Sequence, residues 1–187
     1  MRILGISGSL RRDSYNKRLL RAAALTLPSG AELVPYDALS AIPPFNEDHE
    51  QEGVPGPVRE LREQVGSFDG LLFSTPEYNA SIPGVLKNAV DWASRPFPGN
   101  SLQDRPAAVM GASTGVFGAV WAQAELRKAL RHAGARVLDE ELPVALAADA
   151  FAEDGRLASP ELDERLRDLT AALVREAAAP LEAPALR

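Results

Sequence analysis

The sequence predicts an α/β fold in which a doubly wound sheet of five parallel strands carries helices on both faces. Apolar, β-leaning runs alternate with stretches of helical period, which is typical of parallel strands joined by crossover helices. Several of these runs are apolar almost without interruption, as expected for strands that are covered on both faces. A chain of 187 residues is long enough for one domain with a substantial core.

Each element is predicted from its own stretch of sequence. The predicted strands are the apolar runs Arg2–Ser7, Ala31–Tyr36, Asp69–Thr75, Pro106–Ala112 and Arg136–Leu138. The predicted helices are Lys17–Leu27, Pro57–Gly66, Pro83–Ser94, Ala119–Ala133 and Pro160–Ala179. This set of elements indicates a single flavodoxin-like domain over residues 1–187, with a frayed tail from about residue 180.

The composition is that of an ordinary globular protein and narrows the possible functions. The net charge of −6 disfavours nucleic acid and anionic membranes as partners. The chain has no cysteine, which excludes disulfides and thiolate catalysis, and its two histidines do not predict a metal site. No apolar run approaches the ~20 residues of a membrane span, and no signal-peptide pattern is present, so we expect a cytoplasmic protein without a membrane partner.

The loop after the first strand has the residues of a phosphate site. Ligands of doubly wound sheets bind beyond the carboxyl ends of the strands. Here GISGSLRRDSYNKRLL offers Ser7, Ser9, Ser14, Asn16 and Arg11 at the start of a helix, where N–H groups and arginine favour an anion. Neither a G-x-G-x-x-G nor a Walker pattern is present, so a terminal monophosphate fits best. The alternative is a plain turn in which Ser14 or Asn16 caps the helix.

The loop after the third strand, STPEYNASIPG, carries more hydrogen-bonding groups than a turn needs. Pro76, Asn79 and Pro83 meet local needs for extended backbone, a turn and the first turn of a helix. Glu77 and Tyr78 are left over, and a flat heteroaromatic ligand with polar edges would explain both. The alternatives are that Glu77 only orients the loop and that the segment is an ordinary turn with an exposed tyrosine.

The loop after the fourth strand poses a choice between a hydrolase and a ligand-binding loop. Residues Gly111 to Gly115 match the G-x-S-x-G pattern around a nucleophilic serine, here Ser113. The only downstream histidine is His132, and the candidate acid Glu125 lies on the same helix, roughly 10 Å away by helical rise. That separation is too large for a triad, and His132 suits the helix C-terminus. We therefore expect the loop to bring backbone N–H groups to a flat ligand.

Taken together, the three loops resemble those of one family. The segments GSLRRDSYNKRL, PEYNASIPGVLKNAVDW and GASTGVFG-x3-AQ-x2-LR are similar to motifs of the NADPH-dependent FMN reductases, which include quinone, chromate and azo-dye reductases. The similarity covers nearly the whole chain up to the last helix. It implies a flavodoxin-like fold, non-covalent FMN, and a homodimer or homotetramer. One departure is Trp121, which stands where many relatives carry arginine.

The resemblance also implies the residues that hold FMN. Ser9, Arg11, Ser14 and Asn16 would bind its phosphate, Pro76, Glu77, Tyr78 and Asn79 would line the isoalloxazine, and Ser113, Thr114 and Gly115 would approach the other polar edge of the ring. NAD(P)H would pass hydride to the flavin, and a small-molecule acceptor, such as a quinone, free flavin, chromate or an azo compound, would take the electrons. No side chain need act as acid or base, so no catalytic residue is predicted.

A different class of function shares this fold. A flavodoxin-type electron carrier or an FMN-binding regulatory module would lack turnover, and carriers are commonly more acidic and sandwich the flavin between aromatic rings. Only Tyr78 offers such a ring in a candidate flavin loop. The sequence leaves open the physiological acceptor, the preference between NADH and NADPH, and the number of subunits. The segment Pro43–Val54 and Trp92 are candidates for a subunit interface.

Overall fold

The computed structural model describes residues 1–180, and a five-stranded parallel sheet forms its centre. The strands are β1 (Arg2–Ser7), β2 (Glu32–Tyr36), β3 (Gly70–Thr75), β4 (Pro106–Ala112) and β5 (Arg136–Val144). They lie in the order β2-β1-β3-β4-β5, and every neighbouring pair is parallel. The predicted sheet is confirmed.

Helices cover both faces of the sheet, as predicted. They are α1 (Tyr15–Thr26), α2 (Glu47–Glu52), α3 (Gly56–Ser67), α4 (Gly84–Ala93), α5 (Val120–His132) and α6 (Pro160–Ala178), and a 3-10 turn lies at Leu39–Ala41. Successive residues of β1 enter opposite cores, because side chains alternate across a strand. Ile3 belongs to the core with α1 and α6, and Leu4 belongs to the core with α3, α4 and α5.

Strand β5 is longer than the sequence predicts, since it ends at Val144 rather than at Leu138. Asp139 and Glu140 are exposed on this strand and interrupt its apolar pattern. Charged side chains are common on edge strands, where they prevent pairing with another sheet. Because of these charged residues, the sequence does not predict the part of β5 after Leu138, which pairs with β4 as far as Ala112 and Val144.

Helix α2 is absent from the sequence prediction because none of its six residues is buried. Ion pairs attach it to α3 and to the segment after α4 instead. Glu50 contacts Arg62 at 2.7 Å and Arg95 at 2.9 Å, and Glu47 contacts Arg95 at 2.8 Å. Burial raises the pKa of Glu50, but the hydrogen bonds and charges of Arg95 and Arg62 outweigh burial and hold this pKa below its ordinary value.

Trp92 is a core residue, so its prediction as a subunit contact is wrong. Its side chain is completely buried. Its indole Nε1 donates to the carbonyl of Pro43 at 2.9 Å, and its ring packs edge-on against Phe45.

The last predicted helix is present, and the predicted tail lies largely outside the described residues. At the carboxyl end, α6 stops at Ala178, and residues 181–187 of the expected frayed tail lie outside the described part of the chain. Within residues 1–180, no helix combines the length and apolar character needed to cross a bilayer.

Candidate cofactor site

Three loops meet where the strand order reverses between β1 and β3, the usual ligand position in a doubly wound sheet. They are the predicted loops after β1, β3 and β4, and they line a cavity of about 110 Å³. Nine predicted residues line it, namely Ser9, Arg11, Ser14, Asn16, Pro76, Glu77, Tyr78, Ser113 and Thr114. Tyr15 and Ala112 also line the cavity and were not predicted, whereas Asn79 and Gly115 lie outside its lining.

A larger depression of about 890 Å³ lies between α4 and α5, but it lacks the features of this site. It contains none of the predicted binding residues, and His132 lies in it. Ser113 lies in the smaller cavity instead. The two residues of the hydrolase hypothesis therefore line different depressions, which agrees with rejecting a Ser113–His132 pair. Its position at the switch point and the number of hydrogen-bond donors in its lining make the smaller cavity the candidate cofactor site.

The loop after β1 carries hydrogen-bond donors that could bind an anion. Ser14 is the N-cap of α1, because its hydroxyl accepts from the N–H groups of Asn16 and Lys17 at 3.2 and 3.3 Å. The capping role is thus confirmed, although Ser14 also lines the cavity. Within residues 1–180, the backbone N–H groups of Arg11 and Tyr15 donate to no protein atom. Unpaired N–H groups at a helix N-terminus attract phosphate.

Asn16 connects two strands below the cavity. Its Oδ1 accepts from the N–H of Ala112 at 3.0 Å and from the hydroxyl of Ser74 at 2.9 Å. Its Nδ2 donates to the carbonyl of Ala112 at 2.9 Å. Asn16 is 3% exposed, and its bonds satisfy three buried groups, namely the N–H and carbonyl of Ala112 and the hydroxyl of Ser74. One Nδ2 hydrogen remains for a ligand, since an amide has two.

The loop after β3 is a tight turn that displays Tyr78. The backbone groups of Tyr78 and Ser81 exchange two hydrogen bonds at 3.0 and 3.1 Å. Asn79 and Ala80 between them have φ values of 54° and 57°, the left-handed pair required by a type I′ turn. Asn79 is therefore a turn residue in the structure. Tyr78 is 51% exposed at the edge of the cavity, where a ligand ring can pack against it.

Glu77 joins this loop to α5. Its Oε2 accepts from the N–H of Ala122 at 3.1 Å, in the first turn of that helix. A carboxylate at a helix N-terminus is favourable because it satisfies a free donor and opposes the helix dipole. The loop-orienting role that the sequence left open for Glu77 is therefore present in the structure.

Ser113 and the nearby glycines have structural roles in the loop after β4. The Ser113 hydroxyl accepts from the N–H of Gly115 at 3.1 Å, and the Ser113 N–H donates to the carbonyl of Val144. A Cβ atom on Gly118 would lie 2.7 Å from the backbone carbon of Pro143, and its φ is 60°. Gly118 is thus needed for packing of the loop against β5 rather than for approach to a ligand.

The lining fits the phosphate end of a flavin mononucleotide. The hydroxyls of Ser9 and Ser14, the guanidinium of Arg11 and free N–H groups are suitable donors for a phosphate. Glu77 is the only acid that lines the cavity in the described chain, and one of its oxygens is already bonded to Ala122. Within residues 1–180, no cluster of three acidic or histidine side chains is arranged to hold a metal.

Comparison with known proteins decides between the classes that share this fold. A sequence profile described as NADPH-dependent FMN reductase matches residues 1–149. The chain belongs to the NADPH-dependent FMN reductase family. It is therefore an oxidoreductase with FMN as cofactor and NAD(P)H as electron donor. The resemblance that the three motifs indicated is confirmed.

Individual relatives of this FMN reductase are similar over most of their length. A NAD(P)H-dependent FMN reductase from Pseudomonas aeruginosa is 45% identical over 170 residues, which are 90% of this chain and 89% of that protein. A quinone reductase from Escherichia coli strain K12 is 36% identical over 141 residues, or 75% of this chain and 74% of that protein. The solved structure of FerB, a flavoenzyme NAD(P)H:(acceptor) oxidoreductase from Paracoccus denitrificans, is 34% identical with a TM-score of 0.84, covering 95% of this chain and 97% of FerB.

Proposed function

We propose that this FMN reductase is a quinone reductase, in which NAD(P)H reduces FMN bound by the three loops and a quinone reoxidises it. The observation that carries the proposal is the convergence of these loops on one cavity at the switch point. Its lining offers donors for a phosphate from Ser9, Arg11 and Ser14, and the half-exposed Tyr78 lines the same cavity. The quinone reductase among the relatives supports the choice of acceptor. Free flavin, chromate and azo compounds are further candidate acceptors.

The proposed roles of the side chains follow from their surroundings. Bound FMN supplies the hydride-accepting and electron-donating chemistry. Ser9, Arg11 and Ser14 bind the phosphate, and Asn16 holds β4 in register beside it. Tyr78 packs against the ring. No residue in the cavity needs to transfer a proton for these roles, so we assign none as an acid or base.

The polar edge of the ring would meet the loop after β4. The N–H of Thr114 donates to no protein atom in residues 1–180, and Thr114 lines the cavity. A fixed backbone donor aimed at developing negative charge stabilises a reduced ring without reorganisation. Ser113 and Gly115 would shape this loop through their mutual hydrogen bond of 3.1 Å. Asn79 would set the turn that positions Tyr78.

We also propose that one FMN-binding domain per chain assembles into a homodimer or homotetramer in the cytoplasm. The groove between α4 and α5 supports an interface, because Phe97 lines it and is 79% exposed. Exposed apolar surface of this kind commonly marks an association site. Sedimentation equilibrium of wild type and Phe97→Glu tests the proposal. A wild-type monomer at micromolar concentration would contradict it.

Steady-state kinetics tests the proposed function against a carrier or a regulatory module. The FMN-loaded protein is mixed with NADH or NADPH and a benzoquinone, and oxidation of the nicotinamide is followed. We expect many turnovers per protein, and turnover that depends on added quinone. A protein that binds FMN but gives no turnover with either nicotinamide would be a carrier or a binding module, and the proposal would be wrong.

A further inference from the structure

Tyr15, which the sequence did not single out, lines the cofactor cavity beside Ser14. It is the first residue of α1. Its ring lies nearly parallel to the ring of Phe151, with centroids 6.4 Å apart and planes inclined by 8°. The guanidinium of Arg18 lies 4.4 Å from the centroid of Phe151 and 6.0 Å from that of Tyr15. We call the two rings of Tyr15 and Phe151, together with the guanidinium of Arg18 that lies over them, the aromatic stack.

The position of Phe151 is fixed by residues 145–159, which join β5 to α6. At the start of this segment, the N–H of Ala147 donates to the carbonyl of Ser113 in the cavity loop at 3.0 Å. Around Phe151 the segment folds back on itself, with an antiparallel bridge between Phe151 and Leu157. Leu157 is 4% exposed and belongs to the core with α1 and α6. The segment around Phe151 is thus anchored to the cavity loop through Ala147 and to the core through Leu157, and the ring of Phe151 packs against that of Tyr15.

The charges near this stack do not distinguish one flavin nucleotide from another. Arg11 lines the cavity, Arg12 follows it, and neither forms an ion pair within residues 1–180. FMN ends in a phosphate monoester, whereas the same phosphorus in FAD continues into a second phosphate and adenosine. Two free arginines would attract the additional phosphate of FAD. A preference for FMN therefore needs a steric element.

We infer that the aromatic stack is that element and selects FMN over FAD. A phosphate bound by Ser9, Arg11 and Ser14 lies next to Tyr15, and an adenylate extension has to displace a ring that Phe151 supports. FMN lacks this extension and binds without displacing the ring. Phe151 and Arg18 are positioning residues, because they act through Tyr15. This inference rests on the proposed function, since it requires the flavin phosphate to bind at the start of α1.

Binding measurements on the apo-protein test the stack without using activity. The dissociation constants of FMN and FAD are determined by quenching of flavin fluorescence, and their ratio is compared among variants. We expect Tyr15→Ala to reduce the preference for FMN by at least about tenfold, mainly through tighter FAD binding. Tyr15→Phe keeps the ring and is the matched control, with the wild-type ratio. Phe151→Ala is expected to reduce the preference for FMN as well. Phe151→Tyr keeps an aromatic ring and is expected to keep the wild-type ratio.

The outcomes separate this inference from the proposed function. If the wild type binds neither flavin, the proposed function is wrong. If it binds FMN but FAD equally well, or if both alanine variants keep the wild-type ratio, the inference alone is wrong. A purely structural role of Tyr15 would weaken FMN and FAD binding together and leave their ratio unchanged. Should Tyr15→Ala fail to fold by circular dichroism, Phe151→Ala decides.

Discussion

Asn16 and Ala112 exchange two hydrogen bonds although 96 residues separate them in the chain. The Asn16 Nδ2 donates to the Ala112 carbonyl at 2.9 Å, and the Ala112 N–H donates to the Asn16 Oδ1 at 3.0 Å. One side chain thus ties the start of α1 to the end of β4, next to the proposed phosphate site. Rigid support of this kind keeps binding groups in place before the ligand arrives.

Replacing Asn16 should destabilise the fold even without a cofactor. Asn16→Ala leaves buried groups of Ala112 and Ser74 without partners, and each such group costs about 1–3 kcal/mol. We expect urea denaturation of the apo-protein to show a loss of roughly 3 kcal/mol in the free energy of unfolding. Ser14→Ala is the control, with the loss of about 1 kcal/mol that is usual for an N-cap. Equal losses would show that Asn16 is no more than a second cap.

Arg11 and Arg12 offer a matched test of the phosphate site, because they are adjacent, equally charged and both exposed. Only Arg11 lines the cavity. A hydrogen bond to a charged group contributes about 1.5–3 kcal/mol, so Arg11→Ala should weaken FMN binding at least tenfold. Arg12→Ala should change it little. Fluorescence titration measures both variants, and comparable losses would mean that general charge, rather than Arg11, attracts the phosphate.

The agreement between sequence and structure depends on what holds each element. Strands β1 and β4 begin and end where the sequence predicts, because apolar runs buried on both faces leave a clear pattern. Helix α2 has no apolar face, and Arg95, 45 residues after Glu50, attaches it. No local pattern reveals an ion pair across that distance.

The same distinction applies to the site. The three loops were predicted because each follows an apolar strand and carries surplus polar groups. The resemblance to the family assigned their binding residues, nine of which line the cavity. Tyr15 was missed because its ring partner Phe151 is remote in sequence, so no local pattern marks the pair. The structural bonds of Asn16 and Glu77 were not predictable in detail, since Ala112 and Ala122 bond through their backbones and carry no side-chain signal.

The ion pairs of α2 predict a pH-dependent contribution to stability. The pKa of Glu50 is lower in the folded protein, so the unfolded state binds more protons and stability increases with pH through this range. The contribution is complete above the ordinary glutamate pKa of about 4.3 and is lost as the pH falls through the folded value. Glu50→Gln should therefore cost roughly 1–2 kcal/mol at pH 7, and the difference from wild type should shrink below about pH 4.

Urea denaturation between pH 7 and pH 3.5 measures this effect. Glu52→Gln is the matched control, because Glu52 lies on the same helix and forms no ion pair within residues 1–180. It should have almost no effect at any pH. A Glu50→Gln difference that stays constant down to about pH 3.5 would show that charge on Glu50 is not what attaches α2.

Ser113 distinguishes the reductase from the rejected hydrolase. In the structure its hydroxyl accepts one hydrogen bond, from Gly115. Loss of one neutral bond costs about 0.5–1.5 kcal/mol, so Ser113→Ala should keep FMN reduction within roughly tenfold of wild type. Tyr78→Ala should impair flavin binding or turnover more, because it removes a packing surface. Hydrolysis of a p-nitrophenyl ester that disappears in Ser113→Ala, with no FMN reduction in either protein, would support the hydrolase instead.

The most direct test of the central claim is anaerobic stopped-flow mixing of FMN-loaded protein with NADH or NADPH, followed by a second mixing with benzoquinone. We predict that the visible flavin absorbance is lost in a single exponential phase whose rate saturates with nicotinamide concentration, because the donor binds before it reacts. We predict that stoichiometric quinone then restores the absorbance. Bound FMN that keeps its absorbance with both nicotinamides, or reduced flavin that quinone does not reoxidise, would contradict the account.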